Sequence, residues 1–333
     1  MKTKGKQLLS LILVIIIFVS DSGCKKKETN YWPGELGGTF VFLTRSHHDN
    51  VSRVYIMNST GITKVADQPD IGAGKWSPDG TKILYDCGDW FYLMNGWGPD
   101  KREFEGSAPV FSPDGRKIAF LHEIYGTDGT LGDSLCFMNA DGSGLVRYIF
   151  LPYGRYPYLG EWSPDGANIG LSTMKELPDH SNIVADSAGY INEGGFHLLA
   201  KGSFSVWTHD GSQLLFHNAN ALWSLTLSDR SIVKLADIHD SIDFHWAPDK
   251  SRICYFRYND LYVMKMDGSA PVKVASNFSD SPSCWSRDGS RIAYISGDLS
   301  VTVINADGSN AITFTIGSPF LAATDYLAFL DWY

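Results

Sequence analysis

The sequence predicts an all-β fold, a β-propeller of seven four-stranded antiparallel blades, and three observations support this prediction. A short motif with an aromatic residue and a tight turn recurs along the chain, strand-forming runs follow each copy, and the chain ends on a spare strand with another tryptophan. Units of about 40 residues with four short strands each are typical of propeller blades. Rings of six or eight blades are the alternatives.

The repeated motif has the form aromatic-Ser-Pro-Asp-Gly or a close variant. Its six copies are Trp76–Gly80, Phe111–Gly115, Trp162–Gly166, Trp207–Gly211, Trp246–Lys250 and Trp285–Gly289. Proline presets the backbone for a turn and glycine relieves strain at its end, so each copy predicts a tight turn between two strands. Because identical turns on different blades do not converge on one reacting atom, we interpret the repeated Asp as structural and the repeated Trp as a packing residue.

The remaining strands of each unit and the closure of the ring also follow from the pattern. A third strand such as 261–264 ends in a turn such as Asp267-Gly268, which is a strong hairpin signal, and a fourth strand follows. Three strands lie between residues 39 and 66, ahead of the first copy, and one spare strand, 326–333, follows the last unit. We predict that this strand completes the first blade with Trp332, which removes the open sheet edges of the ring.

The connections between strands supply the candidate binding residues. Two insertions, around 126–133 and 175–189, explain the longest spacings between copies. The fourth-to-first and second-to-third connections should share the face opposite the Asp-Gly turns, and they are varied and rich in His, Tyr and Asp. Since functional residues concentrate on such loops, we predict a binding face there with these residues: Tyr153, Arg155, Tyr156, His239, Asp243 and His245.

The start of the chain predicts a targeting segment. Three lysines within the first six residues precede an apolar run over 8–20, which is shorter than the roughly 20 residues that span a bilayer. The run leads to Ser22-Gly23-Cys24, which resembles a bacterial lipoprotein signal, in which the Cys is lipidated and becomes the mature N-terminus. Asp21 departs from the apolar residue usual in that family. An ordinary secretory signal followed by an incidental Cys is the alternative.

This resemblance divides the chain into a signal peptide at 1–23, a lipidated tether at 24–37 with Cys24 as the lipidation site, and a propeller domain at 38–333. In Gram-negative lipoproteins the residue after the Cys influences sorting, and Lys25 implies an outer-membrane location, facing the periplasm or the cell surface. The formal net charge of −9, without a long basic run, argues against a nucleic-acid partner.

The motifs taken together resemble a known propeller family. Phe-Ser-Pro-Asp-Gly at 111–115, Ile-Ala-Phe at 118–120 and Met-Asn-Ala-Asp-Gly at 138–142 resemble the TolB-type repeat, which is related in shape to WD-repeat propellers. The resemblance covers 38–333. It departs from TolB itself, because a separate N-terminal α/β domain is not evident and seven blades are expected where TolB has six. A role in the Tol system is therefore not implied.

Two classes of function are compatible with these features. We favour a non-enzymatic, lipid-anchored binding or scaffolding module for an envelope protein, peptide or glycan. The alternative is a propeller enzyme, a polysaccharide lyase or a lactonase-like hydrolase, with a polar site at the channel mouth. The sequence contains no recognised catalytic or cofactor motif, so we assign no catalytic residue, metal or cofactor. His47-His48-Asp49 has the residue types of metal ligands but not a metal-site spacing.

The cysteines beyond Cys24 are expected to be buried thiols. Each lies in or beside an apolar strand-like run, where Cys behaves as a small hydrophobic residue. An oxidising compartment would permit disulfides, so the pairing state is left open. The four residues are Cys87, Cys136, Cys254 and Cys284.

Overall fold

The computed structural model describes residues 37–46, 51–69, 71–96, 100–125, 131–151, 155–176, 183–192, 194–218, 220–238, 244–258, 260–276, 283–297, 300–316 and 325–333. These residues form β-strands and turns without a helix. In particular, no described segment is a helix long and apolar enough to cross a membrane. The predicted signal peptide and Cys24 lie outside the described residues.

The strands form seven antiparallel sheets of four, which we number as blades. Blade 1 contains β1 (Phe40–Ser46), β2 (Val51–Asn58), β3 (Gly61–Pro69) and, from the far end of the chain, β28 (Asp325–Trp332). Blade 2 contains β4 (Ile71–Trp76), β5 (Lys82–Cys87), β6 (Trp90–Asn95) and β7 (Lys101–Glu105), and blade 3 contains β8 (Ser107–Phe111), β9 (Lys117–Tyr125), β10 (Leu131–Asn139) and β11 (Val146–Leu151).

The other four blades follow in chain order. Blade 4 contains β12 (Arg155–Trp162), β13 (Ile169–Glu176), β14 (Ile183–Asn192) and β15 (Gly195–Ala200), and blade 5 contains β16 (Ser203–Trp207), β17 (Gln213–Asn218), β18 (Ala221–Thr226) and β19 (Ile232–Asp237). Blade 6 contains β20 (Phe244–Trp246), β21 (Arg252–Arg257), β22 (Asp260–Lys265) and β23 (Val272–Ser276), and blade 7 contains β24 (Ser283–Trp285), β25 (Arg291–Gly297), β26 (Ser300–Asn305) and β27 (Ile312–Thr315). The prediction of seven blades is confirmed, and six and eight are excluded.

The strand that ends in the aromatic residue is the innermost strand of its blade. Each lies at one edge of its sheet. Strand β28 contacts β4 and β24, β8 contacts β12, and β12 contacts β16, so these edge strands meet one another around the ring. They therefore surround the central channel, and the turns that follow them encircle one mouth of it.

The repeated turn is held by its own side chains. In blade 2 the Ser77 hydroxyl donates to Asp79 Oδ1 at 2.6 Å, and the Thr81 backbone N–H donates to the same oxygen at 3.0 Å. Gly80 has φ +69°, a left-handed conformation that glycine adopts without steric cost. The hydrogen bonds from Ser77 and Thr81 hold the pKa of Asp79 at about 2. These contacts support the structural interpretation of the repeated Asp.

The core lies between blades. The six tryptophans at the motif position are all buried: Trp76, Trp162, Trp207, Trp246, Trp285 and Trp332. Some of them tie neighbouring blades together, since Trp285 Nε1 donates to the His245 carbonyl at 2.9 Å and Trp162 Nε1 donates to the Val110 carbonyl at 3.3 Å. The predicted role of the repeated Trp in packing between blades is confirmed.

The two chain ends close the ring as predicted. Strand β28 pairs antiparallel with β1, with Trp332 opposite Phe40 and their rings stacked at 4.6 Å. Thr39 N–H donates to the Tyr333 carbonyl at 2.6 Å and Tyr333 N–H donates to the Thr39 carbonyl at 2.8 Å. This pair replaces the covalent turn of the other blades, in which Ser77 N–H donates to the Lys82 carbonyl.

The two predicted insertions lengthen hairpins. Strands β9 and β10 have nine residues each, and β13 and β14 have eight and ten, against six in β5 and β6. The tips of these hairpins fall outside the described residues. The four cysteines within the described residues are free thiols, and three of them, Cys136, Cys254 and Cys284, are buried.

Candidate functional site

The structure describes only part of the binding face predicted from the sequence. Tyr153, His239 and Asp243 lie outside the described residues. Arg155 and Tyr156 begin strand β12, where their backbones pair with Lys175 and Met174, but their side chains are not described. Nothing in the described part of the chain therefore tests whether these five residues meet on one surface, and this face remains a prediction.

His245 is placed differently from the other predicted residues. It lies within β20 directly before Trp246, and it pairs with Cys254, next to the pair of Trp246 with Ile253 at the end of the hairpin. His245 therefore lies one residue before the repeated turn of blade 6 begins. The connection before β20 lies outside the described residues, so its relation to His245 stays a prediction.

His245 is one of seven residues at the same position, directly before the aromatic residue of each inner strand. In blade order from blade 1 they are Asp331, Lys75, Val110, Glu161, Val206, His245 and Cys284. We call this set the mouth ring. Four of the seven can carry charge, although in blades 2 to 7 they precede copies of the same turn motif. The mouth ring is thus the layer at which the blades differ in chemistry.

The mouth ring borders a recess of about 360 Å³. Its walls come from blades 2 to 6, and residues of five blades can meet only at the axis of the ring. The recess has three charged residues, Lys75, Glu161 and Lys250. Its remaining walls are largely proline and tryptophan, from the residues Trp76, Pro78, Pro109, Pro113, Trp162, Pro164, Trp207 and Pro248. It is a rigid, apolar opening with a few polar groups, which is the usual composition of a binding site.

One ion pair crosses the recess. Lys250 Nζ lies 2.8 Å from Glu161 Oε2, with side-chain exposures of 22% and 45%. Burial by the channel walls tends to raise the pKa of Glu161. The charges of Lys250 and Lys75, the Lys250 hydrogen bond and His245 outweigh it and hold the pKa at about 2. Glu161 is therefore a fixed negative charge at neutral pH and a poor proton donor.

Lys250 is a departure from the repeat. It occupies the position that is glycine in the other copies of the motif, and its φ of +55° is in the left-handed region. A non-glycine residue there costs about 1–2 kcal/mol. The chain thus retains a locally unfavourable residue at the one turn from which a lysine reaches Glu161.

Asp331 is the second carboxylate of the mouth ring. Its Oδ2 accepts the backbone N–H of Trp76 at 3.0 Å, which joins blade 1 to blade 2. Burial raises the pKa of Asp331 above its ordinary value, and the Trp76 hydrogen bond, the Lys75 and His245 charges and the Trp332 N–H only partly oppose this. Lys75 therefore interacts electrostatically with both carboxylates of the ring.

The turns around the mouth form a belt in which each blade touches the next. The proline of one turn packs against the glycine of the following turn, as Pro78 does against Gly115 and Pro113 against Gly166. The belt departs from this pattern where its residues differ. His209 replaces the proline in the turn of blade 5, and Lys250 replaces the glycine in the turn of blade 6. At the chain closure, Arg287 lies over the ring of Tyr333 at 4.4 Å.

The described residues offer no ready metal site. No group of three or more His, Cys, Asp or Glu side chains among them is arranged to hold a metal ion. The His47-His48-Asp49 segment lies outside the described residues. What the mouth ring can do with its fixed charges is to orient a polar or charged group that enters the channel.

Sequence reasoning missed the mouth ring, although its signal is visible in the repeat. When the copies are aligned, the position before the aromatic residue changes between Lys, Val, Glu, His and Cys, whereas the residue that follows it is always Trp or Phe. The replacement of glycine by Lys250 is a second such signal.

Comparisons with known proteins support the fold. No protein-family model matches the sequence, and no curated protein matches it. Among solved structures, TolB from Acinetobacter baumannii superposes with a TM-score of 0.55 at 14% identity, over 90% of this chain and 67% of that one. The fold is that of a TolB-like β-propeller.

Enzymes share this TolB-like architecture. Oligogalacturonate lyase from Vibrio parahaemolyticus matches with a TM-score of 0.55 at 10% identity, over 85% of this chain and 91% of that one. An oligogalacturonate lyase in complex with manganese matches with a TM-score of 0.56 at 12% identity, over 86% and 92% of the two chains. At such identities the likeness shows the fold alone.

Proposed function

We propose that this TolB-like propeller is a lipid-anchored binding module of the cell envelope, which engages a protein, peptide or glycan at the channel mouth. The observation that carries the proposal is the mouth ring, in which charged residues differ between blades while the surrounding turns repeat. Two charged residues of the mouth ring, Lys75 and Glu161, line the rigid, proline-lined recess. This arrangement favours recognition, because preorganised groups lose little entropy when a ligand binds.

The state of the charged groups favours binding over catalysis. Glu161 is held by Lys250 at 2.8 Å, with a pKa of about 2, so it exchanges no proton near neutral pH. Asp331 accepts a backbone hydrogen bond from Trp76. General acid–base catalysis needs groups whose pKa lies near the working pH, so Glu161 serves the channel as a fixed charge and not as a proton donor or acceptor.

The anchor and location in this proposal come from the N-terminal pattern. Processing at Cys24 would place the propeller on a tether at the membrane surface, and Lys25 supports the outer membrane. Mass spectrometry of the membrane fraction should find the mature chain beginning at an acylated Cys24. A Cys24→Ser protein that still partitions into detergent would contradict the anchor.

The experiment compares two possible binding surfaces, the channel mouth and the opposite face predicted from the sequence. Full-length protein in detergent is used to isolate envelope partners, and affinities are then measured with purified partner. Glu161→Lys, which reverses a mouth charge, should weaken binding at least tenfold. Arg155→Ala and Tyr156→Ala should leave it unchanged; if the opposite face is used instead, each costs about 1–3 kcal/mol. Asp114→Asn in a repeated turn is the control, and melting curves exclude unfolding.

One observation favours a second candidate, the propeller enzyme. Burial raises the pKa of Asp331, and Lys75 and His245 interact with it electrostatically. Neighbouring ionisable groups with a shifted pKa are candidates for acid–base chemistry. Polysaccharide cleavage, followed by absorbance of an unsaturated product, and lactone hydrolysis, followed by acid release, test this candidate. Activity that disappears in Asp331→Asn would favour the enzyme over the binding module.

A further inference from the structure

Lys250 is the exception among the repeated turns. The equivalent position is glycine in the other five copies of the motif, and Lys250 adopts the glycine conformation there, with φ +55°. The other described non-glycine residues with positive φ lie outside the repeated turns. The turn itself is intact, since Lys250 N–H donates to the Ala247 carbonyl at 2.7 Å. The turn therefore does not require a lysine, and its backbone conformation is unfavourable for a residue with a Cβ.

The Lys250 side chain reaches beyond its own blade. Its ammonium lies 6.0 Å from the centre of the Trp246 ring and 2.8 Å from Glu161 Oε2. Glu161 belongs to blade 4, and blade 5 lies between blades 4 and 6 in the ring. Unfavourable backbone conformations that the surrounding structure maintains are concentrated at functional sites. The lysine at this turn therefore points to a role for the group that it holds.

One of the two Glu161 oxygens remains available. Oε2 accepts the Lys250 hydrogen bond, whereas Oε1 accepts none within the described part of the chain. The Glu161 side chain is 45% exposed and lines the recess. Because an ionised carboxylate accepts hydrogen bonds through both oxygens, Glu161 offers the recess an acceptor whose position is fixed by Lys250.

Lys75 offers a donor in the same recess. It is exposed, it lines the recess, and it makes no hydrogen bond or ion pair with a described residue. Its charge lies near enough to Glu161 to lower the pKa of that carboxyl. A donor and an acceptor between proline and tryptophan walls suit an amide group, which has both a carbonyl oxygen and an N–H.

A purely structural role for the ion pair is the alternative. At the joint of blades 6 and 7, Trp285 Nε1 donates to the mouth-ring carbonyl of His245. At the joints on either side of blade 5 the corresponding tryptophans, Trp207 and Trp246, are buried, and their Nε1 atoms have no hydrogen-bond partner among the described residues. In this alternative the ion pair is a clamp across blade 5 that replaces the missing contacts.

We propose that Lys250 is a positioning residue of the channel mouth, which holds Glu161 so that its second carboxylate oxygen accepts a hydrogen bond from an amide group of a peptide partner. Lys75 donates to the carbonyl of the same amide. This inference rests on the proposed function of the mouth and names the chemical group that the mouth recognises.

The first test separates positioning from clamping by two measurements on full-length protein in detergent. Lys250→Gly should leave the melting temperature unchanged or raise it by up to about 4 °C, because a partly exposed ion pair contributes little and glycine suits a positive φ. In the wild type, the Glu161 carboxyl carbon should keep the NMR shift of an ionised group from about pH 7 to 3.5, since its pKa is about 2. In Lys250→Gly it should titrate within this range, because burial then raises the pKa with less opposition.

Lys250→Arg and Gly211→Lys are the matched controls. Lys250→Arg keeps the cation and should keep Glu161 ionised. Gly211→Lys places a lysine at the same turn position of blade 5, with φ +70°, but the mouth-ring residue two blades back is then the uncharged Val110. It should lower the melting temperature by about 2 °C or more and leave the Glu161 titration unchanged. A melting temperature that falls as far in Lys250→Gly as in Gly211→Lys, or a Glu161 that stays ionised without Lys250, would overturn the proposal.

The second test uses benzamide and N,N-dimethylbenzamide as probes, which share an apolar ring and a carbonyl but differ in the amide N–H. NMR titration of the wild type should give benzamide the higher affinity by about threefold, the effect of one hydrogen bond. The two affinities should be equal in Lys250→Gly. Lys75→Gln should weaken both probes alike, and Lys101→Gln, on the outer strand of blade 2, should change neither.

Equal affinities of the two probes for the wild type, or absence of saturable benzamide binding, would overturn the assignment of Glu161 as an acceptor for an amide. Retention of the benzamide preference in Lys250→Gly would overturn the positioning role of the lysine. None of these results changes the outcome of Glu161→Lys with the envelope partner, so a failure of this inference is distinguishable from a failure of the proposed function.

Discussion

The belt of turns around the channel mouth repeats one sequence pattern, whereas the mouth ring just inside it differs in sequence from blade to blade. The turns repeat one pattern: Ser112 donates to Asp114 in blade 3 at 2.6 Å, and Ser286 donates to Asp288 in blade 7 at 2.7 Å. The mouth ring, one residue before the aromatic position, changes its chemistry from blade to blade. In a repeat protein, positions that recur build the scaffold, and variable positions at the same depth are where a ligand can be recognised.

The largest effect is expected from breaking the ring itself. Deletion of residues 325–333 removes β28 with the buried Trp332 and exposes the edge of β1. Since closure is what eliminates free edges, we expect aggregation or a melting temperature at least about 10 °C lower. Circular dichroism melts and light scattering measure both. Tyr333→Phe keeps the backbone pair with Thr39 and is the control; a deletion as stable as this control would contradict the closure.

Two glycines of the belt should respond differently to the same substitution. Gly80 and Gly115 have φ of +69° and +68°, but a Cβ at 80 would lie 1.9 Å from Tyr333 Cε1, whereas at 115 the nearest atom is Pro78 Cδ at 3.6 Å. Gly115→Ala should cost about 1 kcal/mol of unfolding free energy. Gly80→Ala should cost about 3 kcal/mol, because Tyr333 must also move.

Denaturant unfolding measures both costs, and the double variant Gly80→Ala/Tyr333→Ala isolates the contact. In the Tyr333→Ala protein, Gly80→Ala should lower the unfolding free energy by no more than Gly115→Ala does in the wild type. If Gly80→Ala and Gly115→Ala lower the unfolding free energy equally, the Tyr333 side chain does not lie against Gly80.

The ion pair between Lys250 and Glu161 should change how the free energy of unfolding depends on pH in the acid range. The folded pKa of Glu161, about 2, lies below the ordinary value of about 4.3, so its contribution is present above pH 4.3 and is lost as pH falls towards 2. Because the pair is partly exposed, the contribution should stay below about 1 kcal/mol. Urea unfolding of wild type and Glu161→Gln between pH 5 and 2.5 should converge with acidification, and parallel curves would contradict the pair.

The smallest effect is expected from the substitution Asp331→Asn. Burial raises its pKa, so the ionised carboxylate weakens stability as pH rises through and above the ordinary range of Asp. Asp331→Asn keeps an acceptor for the Trp76 N–H, and at pH 7 it should match or exceed wild-type stability by up to about 0.5 kcal/mol, with no gain at pH 3. Asp331→Ala, which leaves that N–H unpaired, should cost about 1–2 kcal/mol. Chemical denaturation of wild type, Asp331→Asn and Asp331→Ala at pH 7 and pH 3 measures these differences in unfolding free energy.

Much of the fold could be predicted because the information is local. The turn of Ser112 and Asp114 forms within its own residues, and Trp332 could be assigned to the first blade because it completes an otherwise missing motif position. The insertion at 175–189 was also located correctly in the hairpin of β13 and β14. The predicted binding face could not be tested in the same way, since its loops fall largely outside the described residues.

The sequence by itself determined the number of blades, the order of strands within them and the closing strand, because each blade is specified by short-range turns and alternating apolar residues. Only the tertiary structure decided which side chains meet. Lys250 and Glu161 are 89 positions apart and touch because the ring brings blades 4 and 6 to one axis. A cleft lined by Phe137 of blade 3 and Trp162 of blade 4 likewise exists only where the two blades meet. Contacts between blades are set by packing that no single repeat encodes.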